Sequence, residues 1–88
     1  PNPTPNGRMT IAYSLPGGAD GPQHVALRLY DLGGRQLRTL LDGAQLPGRY
    51  QVSFDGNDAR GQRLAPGLYF VRVSRGAMQQ TKRFVIMP

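Results

Sequence analysis

The amino-acid sequence predicts an all-β fold, an antiparallel β-sandwich of about seven short strands. Three observations carry this. Apolar residues recur with a period of two along almost the whole chain, the pattern of strands with one buried face. Gly, Pro, Asn and Asp interrupt that pattern every eight to twelve residues, the spacing of turns in such folds. No stretch has the length of a helix. Residues 35–41 come nearest, and they are too short, with Gly close on both sides.

Taken in order, residues 1–8 hold two X-Pro units and no periodicity. They read as an extended linker from an upstream domain, with residues 9–88 as the sandwich. In the first strand Met9, Ile11, Tyr13 and Leu15 alternate with Thr10, Ala12 and Ser14. Pro16-Gly17-Gly18 ends it, and the polar stretch to Gln23 is a loop. Val25, Leu27 and Leu29 then alternate with Ala26, Arg28 and Tyr30. Asp31-Leu32-Gly33-Gly34 supplies a hairpin turn, and residues 35–41 return from it. Asp42-Gly43 and Pro47-Gly48 bracket a short connection, after which Tyr50, Val52 and Phe54 share one face. Residues 55–61 are dense in Asp, Asn and Gly and form a turn, with residues 62–65 as a short strand before Pro66-Gly67. Tyr69, Val71 and Val73 point inward, which sends Leu68, Phe70 and Arg72 outward. Arg75-Gly76 is a hairpin tip, and residues 78–87 are the last strand. The sum is an immunoglobulin-like (fibronectin III-like) sandwich without internal repeats.

Composition narrows the chemistry. Eighty-eight residues make one domain, and with no Cys there is no disulfide scaffold, thiolate metal cluster or cysteine nucleophile. A single His and five scattered Asp, with no Glu, leave no basis for a zinc enzyme. Ser14, His24 and Asp31 supply the residue types of a triad, yet no nucleophile sits in a recognisable elbow. The expectation is a non-enzyme without cofactors. No apolar run approaches the ~20 residues that span a bilayer. The chain begins at Pro1 rather than Met, so it is expected to be a processed product or a piece of something longer. Lack of Cys suits a cytosolic protein and equally a bacterial surface domain.

The formal charge is +6, which raises nucleic acid as a partner. The ten Arg, however, are spread over nearly every strand and loop, with no basic run longer than Lys82-Arg83. Arg alternating with apolar residues describes the wet face of a sandwich, so the expected partners are proteins, not nucleic acid. The charge then favours an acidic partner or an anionic cell surface. Asp55, Asn57 and Asp58 offer three close oxygens to a cation such as calcium. Their spacing is not that of an EF-hand and no acidic residue closes the run, so an Asx-turn is preferred to a metal site. Phe70 has two readings, a ring covered by a loop or a long Arg, and a contact patch for another domain or subunit. The final strand is apolar on both faces, with Phe84 and Ile86 on one and Val85 and Met87 on the other. Something is expected to cover its outer side.

Several segments together resemble a known bacterial family. Pro1-Asn2-Pro3 with Met9-Thr10-Ile11 looks like its "PNP…TxI" opening, and residues 29–35, Leu-Tyr-Asp-Leu-Gly-Gly-Arg, resemble its "VYDxxGR" hairpin. Residues 54–61, Phe-Asp-Gly-Asn-Asp-Ala-Arg-Gly, are similar to its "WDGxDxxG" turn, with Phe54 in place of the usual Trp. Gly67-Leu68-Tyr69-Phe70 matches "GxYF", and residues 82–86 resemble its basic-then-apolar last strand. The family is the FlgD-type immunoglobulin-like domain, which overlaps with the type IX (Por) C-terminal sorting domain. The matched residues have structural reasons. Asp31 and Gly34 close a hairpin. Asp55 and Asp58 bond backbone N–H groups while Gly56 and Gly61 take positive φ, and Gly67 permits a close backbone approach. Tyr69 places its hydroxyl on a backbone carbonyl as a tyrosine corner does.

The resemblance implies a non-catalytic C-terminal module of a larger secreted or cell-surface bacterial protein, sorted across the outer membrane. Lys82, Arg83 and the strand through Phe84 to Met87 would then form much of the surface the secretion machinery recognises, with Phe70 a further partner-binding candidate. The alternative it implies is a structural module, hook-cap-like or self-assembling, or an accessory domain of an extracellular enzyme. The chain ends Met87-Pro88 where sorting domains commonly end in Lys or Arg.

Overall fold

The computed structural model describes residues 8–17 and 21–87. The linker expected over residues 1–8 therefore falls almost wholly outside the described residues. Six strands follow: β1 (Met9–Leu15), β2 (Gln23–Asp31), β3 (Gln36–Gln45), β4 (Gly48–Phe54), β5 (Gly67–Arg75) and β6 (Met78–Ile86). β1 pairs with β4, and the other four form a sheet in the order β3-β2-β5-β6. Every pairing is antiparallel. The two sheets pack face to face as a sandwich, and the described residues contain no helix.

Alternation along each strand builds the core. β1 contributes Ile11, Tyr13 and Leu15; β2 gives Val25, Leu27 and Leu29; β5 gives Tyr69, Val71 and Val73; Phe54, Phe84, Ile86 and, from the loop before β5, Leu64 complete it. Val25, Leu27, Leu29 and Val73 are wholly shielded from solvent. Phe54 of β4 meets Phe84 of β6 edge-on at 6.0 Å, joining the two sheets, and within the larger sheet Tyr69 stacks on Phe84 at 5.8 Å. Tyr13 of β1 donates its hydroxyl proton to Gln45 Oε1 of β3 at 2.7 Å, a polar tie across the opening of the sandwich.

Two expectations about strands are corrected. Residues 62–65 form no strand, only an isolated bridge between Asn57 and Arg63. Asp58 Oδ1 takes the N–H groups of Arg60 and Gln62, and Leu64 N–H goes to the Gly56 carbonyl. The backbone groups that a ladder needs are thus spent within the turn, and six strands result. Asp42-Gly43, read as a turn, instead lies inside β3, opposite Ala26 and Val25. There the Asp42 carboxylate pairs with His24 of β2. Two register shifts between β2 and β3 absorb the extra residues, as bulges do.

Candidate functional site

The Asp-rich turn is a closed piece of structure. Asp55 Oδ1 accepts the Asn57 N–H at 3.0 Å and Arg38 Nη1 at 2.6 Å. Arg38 also reaches the Asn57 carbonyl at 3.0 Å and lies 5.8 Å above the Phe54 ring. The Asn57 N–H first, and Arg38 second, hold the Asp55 carboxyl below the usual carboxylate range. Gly56 and Gly61 have φ of +85° and +80°, the left-handed region in which Gly carries no Cβ penalty. Asp55 Oδ1 is engaged by an N–H and a guanidinium, Asp58 Oδ1 by two N–H groups, and the Asn57 backbone carbonyl by Arg38. Among the described residues no three His, Cys, Asp or Glu side chains converge. Arg38 was not singled out by the sequence, where it is one of ten Arg on an alternating strand.

The other motifs are hairpin chemistry. Asp31 Oδ1 accepts the Arg35 N–H at 2.9 Å, and Gly34 N–H returns to the Asp31 carbonyl at 3.0 Å. Tyr69 donates to the Ala65 carbonyl at 2.6 Å, the tyrosine corner expected. Gly67 needs correction: a Cβ there would meet nothing within 4 Å, so close approach is not its reason, and its φ of +152° is. His24 pairs with Asp42, not Asp31. Ser14 lies on the other sheet, so the triad residues are not brought together.

The outer face of the four-stranded sheet is different in kind. Tyr30 of β2 stands opposite Phe70 of β5, and Phe70 opposite Arg83 of β6. The next row holds Arg28, Arg72 and Thr81. The Arg72 guanidinium lies over the Tyr30 ring at 5.1 Å. Its Nε is shielded from solvent with no hydrogen-bond partner, the one such side-chain atom among the described residues. An open groove of about 320 Å³ runs here, bordered by Tyr30, Leu32, Phe70, Arg72 and Thr81. Leu32, at the turn, is 68% exposed.

Residues 4–78 match the family model of the FlgD Ig-like domain. The chain belongs to that family. No curated protein and no solved structure matches it. In this FlgD Ig-like domain most of β6 lies beyond the matched span, and its side chains divide by alternation. Arg83 and Val85 face outward, whereas Phe84 is 3% exposed and packed in the core. Phe84 is therefore corrected from a partner-binding residue to a core residue. Lys82 is half-buried and donates its ammonium to the Ala12 carbonyl on the free edge of β1; Gln80 donates likewise to the Ser14 carbonyl at 3.2 Å. Val85 and Met87 are each 45% exposed, so nothing among the described residues covers the outer side of the last strand. No helix among the described residues is long and apolar enough to cross a membrane.

Proposed function

We propose that this FlgD Ig-like domain is a non-catalytic protein-interaction module of a larger secreted or cell-surface bacterial protein, with the outer face of its four-stranded sheet as the contact surface. One observation carries the reading: Tyr30 and Phe70 stand side by side on the solvent side of a sheet whose other side already packs the core. A half-wet antiparallel sheet is normally polar outside. Paired aromatic rings there, beside exposed Leu32 and Val85, form the kind of patch that marks protein contacts. A hook-cap-like assembly module, or an accessory domain of an extracellular enzyme, needs such a surface and no catalytic group.

Sorting through a type IX system is the second reading, favoured by Arg83, Val85 and Met87 at the exposed side of the last strand. Lys82 is engaged with the edge of β1 and Phe84 with the core, which narrows that surface. A photoreactive phenylalanine at position 70, with position 51 on the other sheet as control, tests the first reading in cells making the full protein. A protein adduct from 70 alone is expected, and adducts from neither or equally from both refute the surface. For sorting, the domain is fused to a reporter in a type IX-competent host. Reporter retained in the periplasm refutes it.

A further inference from the structure

The outer-face groove has a charge as well as a shape, and the two together specify a partner more narrowly than an apolar patch does. Arg28, Arg72 and Arg83 lie on this face. Asp42 is its nearby carboxylate, and it pairs with His24 and stands 4.0 Å from Arg28. Asp31, at the groove's rim, is engaged with Arg35 at 3.2 Å. Neither Arg72 nor Arg83 has a carboxylate partner among these ion pairs. The Arg72 guanidinium lies over the Tyr30 ring, 5.1 Å from its centroid. A guanidinium fork matches a planar carboxylate in bidentate fashion. Tyr30, Phe70 and Leu32 beside it offer an apolar floor. The groove's 320 Å³ lies at the low end of the roughly 300–1,000 Å³ of ligand clefts, the scale of one or two side chains.

Resting on the interaction reading above, we infer that this groove docks an acidic segment of another protein, a carboxylate meeting Arg72 while a neighbouring aromatic or aliphatic side chain lies between Tyr30, Phe70 and Leu32. A second copy of this chain is the poorer occupant. Each copy carries +6, and Asp31, Asp42 and Asp55 are already paired within it. The charge that steers an acidic segment inward keeps two such faces apart.

The test uses the isotope-labelled 88-residue chain and three probes: a peptide alternating Asp with Phe, the same peptide with Asn for Asp, and heparin as a sulfated polymer. Amide shift changes locate each probe. The acidic peptide is expected to perturb Tyr30, Phe70 and Arg72. Arg72→Gln is expected to weaken it about tenfold, the scale of a lost charge-assisted bond, and Arg49→Gln on the other sheet less than about twofold by screened charge alone. Equal losses from the two variants mean diffuse attraction and overturn the inference. The Asn peptide binding the same residues as tightly keeps the contact surface but overturns the acidic partner. Heparin binding there while the acidic peptide does not also overturns it, in favour of a polyanion. Shifts confined to the β1–β4 sheet, or none from either peptide at millimolar concentration, overturn both the inference and the surface on which it rests.

Discussion

Replacing Tyr69 with Phe removes one oxygen and leaves the ring in place. That oxygen donates to the Ala65 carbonyl at 2.6 Å from a side chain that is 8% exposed. Tyr50 makes the same local bond, to the carbonyl four residues back, Leu46, also at 2.6 Å, but in an exposed setting. The two substitutions are chemically identical, and the bonds they remove differ chiefly in burial. A typical net hydrogen bond contributes about 0.5–1.5 kcal/mol, with the larger cost where an abandoned partner is shielded from water. Tyr69→Phe is therefore expected to cost about 1–1.5 kcal/mol, and Tyr50→Phe about 0.5 kcal/mol or less, because water replaces the lost donor. Neither opens a cavity.

For a domain of this size 1 kcal/mol moves Tm by about 4–8 °C. Tyr69→Phe should lower Tm by about 4–12 °C, and Tyr50→Phe by about 4 °C or less. Calorimetric or circular-dichroism melts near neutral pH measure both. A Tyr50→Phe loss equal to or greater than that of Tyr69→Phe refutes the reasoning, since burial would then not set the cost. The pH dependence gives a second reading. Burial first, and the negative charge of Asp31 second, raise the Tyr69 pKa above its ordinary 10.0. The folded state thus keeps the proton longer than the unfolded chain. Its contribution is fully present below pH 10.0 and is lost as pH rises through the folded pKa. Tyr69→Phe should remove that share of the alkaline decline and leave the share of Tyr13, whose pKa burial also raises.

In acid the sign reverses: the Asp55 carboxyl is held below its ordinary 3.8, so its contribution is present above that pH and lost as pH falls through the folded pKa. Melts from pH 5 to 2 should show Asp55→Asn with a shallower acid decline than the parent, and identical slopes would contradict this. Lys82→Met keeps the apolar stem and removes the donor from the Ala12 carbonyl on the β1 edge. Light scattering should show concentration-dependent association of that variant, as unguarded strand edges pair; a strictly monomeric variant would count against the guard. Gly43 and Gly61 both leave room for a Cβ, but only Gly61 has positive φ, +80°. Gly61→Ala should cost about 1–2 kcal/mol and Gly43→Ala should be neutral or stabilising by up to about 1 kcal/mol, a contrast that chemical denaturation measures directly.

Strand identity was legible because burial leaves a period of two, and Tyr13, Leu27, Val71 and Phe84 all face the side their alternation assigns. Turn chemistry was legible where the side chain acts on its own backbone, as at Asp31, Asp55, Asp58 and Tyr69. It misled at Asp42-Gly43, because a turn signal is local and the pairing that overrode it is not. The β2–β3 ladder sets Asp42 opposite Ala26 and Gly43 opposite Val25, with the Asp42 carboxylate on His24, 18 positions away. Arg38 was illegible for the same reason. Its partner Asp55 is 17 positions distant, and no spacing rule connects them. The candidate surface was half legible. Alternation turned Phe70 outward beside Arg72, but only the sheet order sets Tyr30 next to it.

The last strand shows why adjacent residues of one motif cannot share one role. Lys82, Phe84 and Ile86 turn toward the β1–β4 sheet, where the ammonium caps an open strand edge and the two apolar side chains fill the core. Arg83 and Val85 turn the other way, onto the face that holds Tyr30, Phe70 and Arg72. A basic-then-apolar string is therefore two half-motifs read on alternate residues. Substituting Lys82 or Phe84 tests the sandwich, whereas substituting Arg83 or Val85 tests the surface. A loss of function traced to the whole string says nothing about recognition until those two sets are separated. The same division explains the fate of the +6 charge. Arg38 and Lys82 are consumed in holding turns and edges, and the cations left without a carboxylate on the outer sheet stand beside its aromatic rings. That coincidence of unneutralised charge with half-buried aromatic rings on the solvent side makes the four-stranded face the place to look for a partner.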